Sequence, residues 1–159
     1  MVEVSVIIVY YKCGEKLVDC IKSVAGQTLK PKELIIVENS PVPSSLLDPI
    51  RQSTKDINLR LIKPGANIGY AKAVNLAIKN AVNSQYVLLL NCDAELVSEN
   101  YIEKLVSVLE SYPKCYAVSG LLLYGDHLVW SGGALFDPIT GFNWHLFWKQ
   151  SEIVVPKNK

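Results

Sequence analysis

Several features that would assign this chain to a particular class of protein are missing from its sequence. The 159 residues contain no apolar run of the roughly 18–20 residues that a membrane-spanning helix needs. Charge of one sign is not in excess either, because 16 basic and 15 acidic residues leave a formal net charge of +1. No overall electrostatic field therefore attracts the chain to nucleic acid, and we expect no nucleic-acid partner.

A secretion signal is also missing from the first residues. Residues 4–9 (VSVIIV) are short, lack a basic leader and are not followed by a small-residue cleavage site, so they predict a buried strand. We therefore expect a cytoplasmic protein and leave peripheral attachment to a membrane open.

Cysteine is present without the spacing of a zinc site. No CxxC pair and no histidine cluster occurs, which argues against structural zinc. In a protein that is not secreted, four reduced thiols are favoured over disulfides. The four residues are Cys13, Cys20, Cys92 and Cys115.

The common glycine-rich phosphate loops are absent. No GxxxxGK[ST] loop occurs, and no GxGxxG follows the first apolar strand. A P-loop nucleotidase and a standard dinucleotide-binding dehydrogenase are therefore disfavoured.

What the sequence does contain is an alternation of strand and helix patterns. Continuous apolar runs predict buried strands, and a weaker run predicts an edge strand. Apolar residues at helical spacing separate these runs. Strands alternating with helices predict right-handed crossovers and an α/β fold with a mainly parallel sheet flanked by helices. The predicted strands cover residues 4–9, 34–37, 59–62 (the edge strand), 86–90 and 117–123.

Four helices are predicted between these strands. The first carries its apolar stripe over residues 17–24, and a shorter one covers residues 46–52. The stripe of the third is formed by Ala71, Val74, Ile78, Ala81 and Val82. Ser98 is the predicted N-cap of the fourth, which carries apolar residues from 102 to 109.

The chain changes character after about residue 125. We expect one core domain over residues 1–125 and a distinct aromatic-rich region over residues 126–159. The exposed aromatic tail suggests self-association as a homo-oligomer. Six large aromatic side chains lie within nineteen residues: Trp130, Phe136, Phe142, Trp144, Phe147 and Trp148.

Ligands of open parallel sheets bind beyond the carboxyl ends of the strands. The segments that follow the predicted strands therefore contain the candidate site residues, and polar groups stand in most of them. These segments are residues 10–12 (Tyr-Tyr-Lys), 38–40 (Glu-Asn-Ser), 64–67 and 91–95 (Asn-Cys-Asp-Ala-Glu).

The last of these segments offers oxygen ligands for a metal ion. Asn91, Asp93 and Glu95 stand at alternate positions, so in an extended stretch they point to one side. Asp93 could then hold Mg²⁺ or Mn²⁺, with Asn91 or Glu95 assisting. The alternative is structural, with Asp93 as a turn residue and Asn91 as an Asx cap.

Residues 67–75 provide a second candidate segment. Asn67 can cap the coming helix, Gly69 lets the backbone approach a ligand closely, and Lys72 could approach a phosphate. Asn75 falls beside the apolar stripe of the third helix and so needs a polar partner. The same pattern also fits simple helix initiation against a sheet.

Taken in order, these segments resemble the family 2 glycosyltransferases, especially their rhamnosyltransferase-like branch. The family's opening strand VSVIIVTYN is matched by residues 4–12, its L..CI.S...QT helix by residues 17–28, and its EIIVVDNSS strand by residues 33–40. Its N.G.A.A.N motif is complete at residues 67–75, and its LLLNPDAEL motif is matched by residues 88–96. The resemblance covers roughly residues 3–125 and implies the GT-A fold.

The resemblance implies roles at the matching positions. Tyr10 and Tyr11 would flank the base of a nucleoside-diphosphate sugar, and Glu38 would bind its base or ribose. Asn67, Gly69, Lys72 and Asn75 would line the nucleotide pocket, with Asn75 deep inside. Asn91 and Asp93 would lie at the diphosphate, Asp93 binding the metal with Glu95 nearby. The metal would neutralise charge on the departing nucleoside diphosphate.

Four departures from the family pattern stand out. Lys12 replaces the usual asparagine, Glu38 replaces an aspartate, and Cys92 replaces a proline. The family's acidic ED motif, which supplies the general base, is not found in the 66 residues after Asp93. The chain is then either a fragment of a longer enzyme or a short variant. The local candidates for a base are disfavoured one by one: Asp126, His127, Asp137 and His145.

Three functions remain open on the sequence. The leading one is an inverting, metal-dependent glycosyltransferase that moves a sugar onto a glycan or lipid-linked acceptor. The second is a nucleotide-sugar-binding module without turnover, suggested by the missing base. The third is a nucleotidyltransferase, although residues 10–14 (YYKCG) are a poor version of its glycine-rich basic loop.

Overall fold

A computed structural model describes residues 2–81 and 84–151 of the chain. The chain divides into two compact units, Met1–Val106 and Ser107–Lys159, so the division falls earlier than the predicted boundary after residue 125. Val82, predicted as part of the third helix stripe, lies outside the described residues.

The first unit alternates strands and helices as the sequence predicts. Its strands are β1 (Val4–Tyr10), β2 (Glu33–Glu38), β3 (Asn58–Ile62) and β4 (Tyr86–Asn91). Its helices are α1 (Lys16–Ala25), α2 (Ser44–Ser53), α3 (Tyr70–Asn80) and the beginning of α4 (Tyr101–Ser111), which crosses the division between the units.

The four strands form one parallel sheet with the order β3-β2-β1-β4. The chain adds β2 and β3 on one side of β1 and then returns to place β4 on the other side. The strand order therefore reverses between β1 and β4, the position at which open α/β sheets bind their ligands. This confirms the predicted α/β fold class and the edge position of β3.

Helices cover the sheet from both faces because the apolar side chains of β1 and β2 alternate between two cores. The larger core joins one face to α1, α2 and α4, and the smaller joins the other face to α3. Ile7 and Ile8 are adjacent in β1, belong to opposite cores and are both at most 1% exposed. Each such buried side chain contributes about 1.5–3 kcal/mol to stability.

The buried stripe of α3 differs from the predicted one. Ala73, Val74 and Ala77 are buried, whereas Ala71 is exposed and Ile78 is 44% exposed. Small side chains face the sheet, so the helix can lie close to β1 and β2. Of the predicted stripe, Val74 alone is fully buried among the described residues.

The start of α4 also differs from the prediction, because the helix begins at Tyr101, three residues after Ser98. Ser23 of α1 and Gln27, which lies two residues after the end of that helix, hold the preceding segment. Gln27 donates from Nε2 to the Ser98 carbonyl (2.9 Å), and its Oε1 accepts from Ile102 N–H (3.1 Å). Ser23 Oγ accepts from Leu96 N–H (3.0 Å). Helix α1 therefore fixes the chain that follows Asp93.

The second unit contains two antiparallel strand pairs within its described part, residues 107–151. β5 (Leu122–Leu123) pairs with β6 (Val129–Ser131), and β7 (Ala134–Phe136) pairs with β8 (Asn143–His145). The predicted strand over residues 117–123 is thus reduced to its last two residues. Many of the predicted aromatic side chains are about half exposed or more, including Trp130, Phe136, Phe142, Trp144 and Trp148.

Within residues 2–81 and 84–151, none of the helices has both the length and the apolar character that crossing a membrane would require.

The contacts of Gln27 give a prediction for stability. Replacing Gln27 by Ala removes an amide that is 1% exposed and leaves the Ile102 N–H and the Ser98 carbonyl without that partner. We expect the free energy of unfolding to fall by about 1–3 kcal/mol in urea denaturation, because buried polar groups lose their hydrogen bonds. Gln52→Ala, at an exposed position of α2, is the control and should change it by less than about 0.5 kcal/mol. Equal effects would contradict this account of Gln27.

Candidate functional site

A cleft of about 590 Å³ lies at the carboxyl ends of β1 and β4, where the strand order reverses. The loops that follow β1, β2 and β4 and the start of α3 form its walls, and all of them belong to the first unit. The lining residues share a polar or aromatic character apart from one valine, one glycine and two cysteines. They are Val9, Tyr11, Lys12, Cys13, Lys16, Asn39, Asn67, Gly69, Tyr70, Asn91, Cys92 and Asp93.

The loop after β1 carries an aromatic ring and a cation into the cleft. Tyr11 is 49% exposed, and the Nζ of Lys12 lies 5.4 Å from the centre of its ring. The backbone of Lys12 has a φ of 52°, in the left-handed region that lysine rarely adopts. Its N–H donates to Ser40 Oγ (2.9 Å), which ties this loop to the end of β2. The asparagine that the family has at this position would fit the same backbone better.

A disulfide joins two walls of the cleft, which makes the prediction of four reduced thiols wrong. Cys13 and Cys92 are bonded with a Cα–Cα distance of 6.3 Å across a sequence separation of 79 residues. Parallel pairing of β1 with β4 places the two residues side by side just beyond the strand ends. The bond stabilises the fold by about 2–4 kcal/mol, since it closes a long loop of the unfolded chain.

Cys20 and Cys115 are free thiols. Cys20 is buried on α1, and its Sγ–H donates to the carbonyl of Asn91 (3.4 Å). Burial, together with the carboxylates of Asp93 and Glu95, raises the pKa of this thiol to about 12. Cys20 therefore stays protonated, and its hydrogen bond holds the Asn91 carbonyl at the end of β4.

Two asparagines shape the wall before α3. Asn39 is 5% exposed, and its Oδ1 accepts from Ile68 N–H (3.2 Å). Asn67 accepts at Oδ1 from Gly69 N–H (2.9 Å), and Gly69 has a φ of 80° that suits glycine. Asn67 thus forms an Asx turn three residues before the first residue of the helix, and its predicted role as a helix cap is wrong, because no side chain caps the start of α3. Both Asn67 and Gly69 line the cleft, as predicted.

Five predicted site residues are absent from the lining, and the last of them, Glu95, belongs to the predicted metal-binding segment. Tyr10 is 2% exposed and packs in the larger core, so its predicted place beside a base is wrong. Asn75 is exposed on α3 and does not lie deep in the cleft. The reason is that the face of α3 toward the sheet is formed by Ala73, Val74 and Ala77. Lys72 is likewise exposed outside the lining.

Glu38 is the fourth of these residues. It ends β2 in register with Tyr10, and its Oε1 lies 3.2 Å from Lys63 Nζ in an ion pair. The carboxyl side chain is only 10% exposed, whereas the lysine is 63% exposed. Glu38 thus stands directly before Asn39, which does line the cleft.

The segment predicted to bind a metal, residues 91–95, forms a turn and not an extended strand. β4 ends at Asn91, residues 92 and 93 form a turn, and Ala94 N–H donates to the Asn91 carbonyl (3.1 Å). The predicted alternation therefore ends at residue 91. Asn91 and Asp93 line the cleft, whereas Glu95 is exposed and lies outside the lining.

This donor set fits an ion shared with a ligand. No cluster of three histidine, cysteine or acidic side chains that could enclose a metal occurs among residues 2–81 and 84–151. Among the described residues that line the cleft, Asp93 is the one carboxylate, and Asn91 is the amide that stands two residues before it. Mg²⁺ is commonly held by one or two carboxylates together with phosphate oxygens and water, so Asp93 fits as the protein's main contribution.

The disfavoured candidates for a general base lie in turns and hairpins of the second unit. Asp137 accepts from Thr140 Oγ1 (2.7 Å) and from Ile139 N–H (2.9 Å), and these hydrogen bonds lower the pKa of its carboxyl group. Asp126 accepts from Leu128 N–H (3.2 Å). His127 has a φ of 64° in the same turn, and His145 Nδ1 lies 3.0 Å from Ser131 Oγ.

The sequence did not single out some lining residues. Asn39, Lys16, Tyr70 and the Cys13–Cys92 pair complete the cleft. Asn39 directly follows β2 and belonged to a candidate segment, so its place after a predicted strand was the feature that pointed to the cleft. Lys16 and Tyr70 begin helices, and their part in the cleft depends on how these helix starts meet the sheet.

Comparison with known proteins shows what this chain is similar to in sequence and in fold. The chain is 32% identical over 111 residues to a teichoic acid poly(glycerol phosphate) polymerase of Staphylococcus epidermidis, and 25% identical over 140 residues to the glycosyltransferase GlyG of Streptococcus pneumoniae. These matches cover 65% and 87% of this chain but only 15% and 44% of the relatives, so the chain spans less than half of either.

Solved structures share the fold. S. aureus TarS matches with a TM-score of 0.60 and 20% identity over 79% of this chain and 24% of that one. The mannosyltransferase PcManGT from Pyrobaculum calidifontis, solved with GDP-Man and Mn²⁺, matches with a TM-score of 0.59 and 20% identity over 67% of this chain and 32% of that one. The model of the family described as "Glycosyl transferase family 2" matches residues 5–153. The chain therefore belongs to glycosyl transferase family 2.

Proposed function

We propose that the cleft binds the nucleoside diphosphate of a nucleotide sugar, as the donor site of a glycosyltransferase. The observation that carries this proposal is the meeting of Asp93, Asn91 and two lysines in one cleft at the strand-order reversal of a family 2 fold. TarS has been solved with UDP and with UDP-GlcNAc, and PcManGT with GDP-Man, which supports nucleotide sugars as the class of ligand.

The diphosphate would lie between the loop after β1 and the turn after β4. Lys12 and Lys16 line one wall and Asp93 the other, so the charged lining residues sum to +1 before any metal binds. A dianionic diphosphate would be attracted to the wall that carries Lys12 and Lys16. The N–H groups at the start of α3, near Gly69 and Tyr70, supply further positive potential.

The nucleoside would lie toward β2. Tyr11 offers an exposed ring for stacking on the base, and Asn39 lines the cleft beside it. The carboxylate of Glu38 forms an ion pair with Lys63. Glu38 would therefore bind the ribose or the base only after this ion pair breaks. Lys63 is mostly exposed, so breaking the pair costs little.

A divalent ion, Mg²⁺ or Mn²⁺, would be held by Asp93 with help from Asn91, and Glu95 would stay outside. Bound there, the ion would neutralise negative charge on the leaving diphosphate. Asp93 is positioned for this by the turn at residues 92–93 and, behind it, by the hydrogen bonds of Ser23 and Gln27.

The transfer itself would move a hexose or rhamnose to a glycan or lipid-linked acceptor with inversion at the anomeric carbon. The chain spans less than half of the two relatives described, so acceptor, stereochemistry and general base are proposals for the whole protein. A second candidate is a nucleotide-sugar-binding module without turnover. Asp137 favours it, because turn hydrogen bonds occupy this carboxylate and lower its pKa, both unsuited to a base.

The role of Asp93 can be tested by calorimetry with UDP- and GDP-sugars in the presence of Mn²⁺. Asp93→Ala should weaken metal-dependent binding by about 10- to 100-fold, because it removes the one carboxylate in the cleft. Glu95→Ala should leave affinity within about twofold, since Glu95 lies outside the lining.

Asp48→Ala, at an exposed position of α2, is the charge-matched control. Binding that survives in Asp93→Ala, or that is lost equally in Glu95→Ala, would contradict the assignment of the metal to Asp93. A folded wild type that binds none of the donors would remove the proposed function.

Lys12 gives a prediction in which stability and affinity change in opposite directions. Lys12→Asn should raise the free energy of unfolding by about 0.5–1 kcal/mol, because asparagine tolerates a φ of 52° better than lysine. The same change should weaken UDP binding in EDTA by about 2- to 5-fold, since an exposed cation is lost from the phosphate wall.

Lys16→Gln is the matched variant for this test. It removes the other lining cation at a helical position, so affinity should fall similarly without the gain in stability. Urea denaturation and calorimetry measure the two quantities. Unchanged metal-free affinity in both variants would show that the lysines do not contact the diphosphate.

A further inference from the structure

The disulfide crosslinks the two segments to which the proposed function assigns the diphosphate. Cys13 directly follows Lys12, and Cys92 stands between Asn91 and Asp93. Both cysteines also line the cleft. The bond therefore sets the spacing between the cationic wall and the acidic wall.

The loop that carries Cys13 has an unfavourable backbone conformation. Lys12 and Gly14, on either side of Cys13, have φ values of 52° and 60°. Besides the disulfide, the hydrogen bond from Lys12 N–H to Ser40 Oγ attaches this loop to a neighbouring segment. A left-handed lysine is disfavoured, so loss of the disulfide would allow residues 11–14 to adopt other conformations.

The opposite wall is held independently of the disulfide. The turn at residues 92–93 is closed by Ala94 N–H on the Asn91 carbonyl (3.1 Å), and Cys20 Sγ–H donates to the same carbonyl (3.4 Å). Breaking the disulfide would thus release the β1 loop and leave Asp93 in place. The effect would be on the shape of the cleft, while both cores of the sheet stay packed.

We propose that Cys13 and Cys92 form a thiol–disulfide modification site that controls nucleotide binding in the cleft. This inference rests on the proposed function and adds regulation to the same site. In the oxidised protein the two walls are preorganised for a diphosphate. In the reduced protein the loop must be ordered when the ligand binds, which lowers affinity.

The exchange partner is a small disulfide such as oxidised glutathione. The Cys13 thiolate attacks one of its sulfurs, forming a mixed disulfide and releasing one glutathione thiolate. The Cys92 thiolate then attacks Cys13 Sγ, so that the mixed disulfide breaks, the protein disulfide forms and a second glutathione leaves. Two electrons pass from the protein to the small disulfide, and the protons of Cys13 and Cys92 end on the two glutathione thiols.

The order of these steps follows from exposure. Cys13 is partly exposed at the cleft, whereas Cys92 is 8% exposed, so a small disulfide reaches Cys13 first. Cys20 is fully buried and hydrogen-bonded, so it does not compete in the exchange. A bound nucleotide would stabilise the oxidised form by the same factor by which oxidation raises nucleotide affinity.

The test equilibrates wild-type protein in a series of reduced-to-oxidised glutathione ratios and measures two quantities. Thiol alkylation and mass spectrometry give the fraction of Cys13–Cys92 disulfide. Calorimetry with UDP, and in parallel with GDP, gives the affinity of each form. We expect the oxidised protein to bind about 5- to 10-fold more tightly, and saturating nucleotide to shift the oxidation midpoint by the same factor.

Two variants complete the experiment. Cys13→Ser/Cys92→Ser should show the affinity of the reduced protein at every glutathione ratio. Cys115→Ser, which removes a free thiol of the second unit, should behave as wild type. Circular dichroism of oxidised and reduced protein should be the same, because the apolar side chains of β1, β2 and their covering helices keep both cores packed when the bond is broken.

Each other outcome overturns the proposal. Equal affinity of the two forms, or thiols that stay reduced at all ratios, would show no control and would leave the donor site itself standing. Loss of secondary structure on reduction would make the bond a requirement of the fold. No nucleotide binding by either form would remove this inference together with the proposed function.

Discussion

The site depends on the parallel pairing of β1 with two partners. β1 pairs with β2 over Ser5 to Tyr10 and with β4 over Val4 to Val9, so three strands end at one edge of the sheet. Residues that are distant in sequence, such as Tyr11, Asn39 and Asp93, meet there. The pairing is stable because both faces of β1 are buried, one against α1 and the other against α3. Every proposed contact with a donor follows from this arrangement.

Support from behind the cleft comes from α1. Ser23 and Gln27 satisfy backbone groups of the segment after Asp93, and Cys20 supports the end of β4. These three residues belong to the segment that matches the family's helix motif, and they position the turn at residues 92–93, to which we assign the metal. Hydrogen bonds therefore link α1, and Gln27 just after it, to the backbone at the end of β4 and to the segment that follows Asp93.

The sequence predicts the fold better than it predicts the individual site residues. Continuous apolar, β-branched runs predicted β1 and β2, because a strand buried on both faces leaves a simple apolar signal. The apolar run of β4 also predicted a strand, although Val87 and Leu89 in it are exposed. The sequence contains no comparable pattern that tells which way a side chain points at the end of a strand. Tyr10 and Tyr11 are alike in type, yet one is in the core and the other lines the cleft. Glu95 does not line the cleft, because the chain turns at residues 92–93. Asn75 does not line it either, because the small side chains of α3 are the ones that face the sheet. Pairing of Cys13 with Cys92 required three-dimensional proximity across 79 residues.

The central claim is that a nucleoside diphosphate binds at the carboxyl ends of β1, β2 and β4. The most direct test is a titration of ¹⁵N-labelled protein with UDP and with GDP in the presence of Mg²⁺, followed by amide chemical shifts. The account predicts that the largest shifts lie in residues 11–13, 39, 67–70 and 91–93, while the amino ends of the same strands stay unchanged. Shifts confined to other parts of the chain, or none at all with either nucleotide, would contradict it.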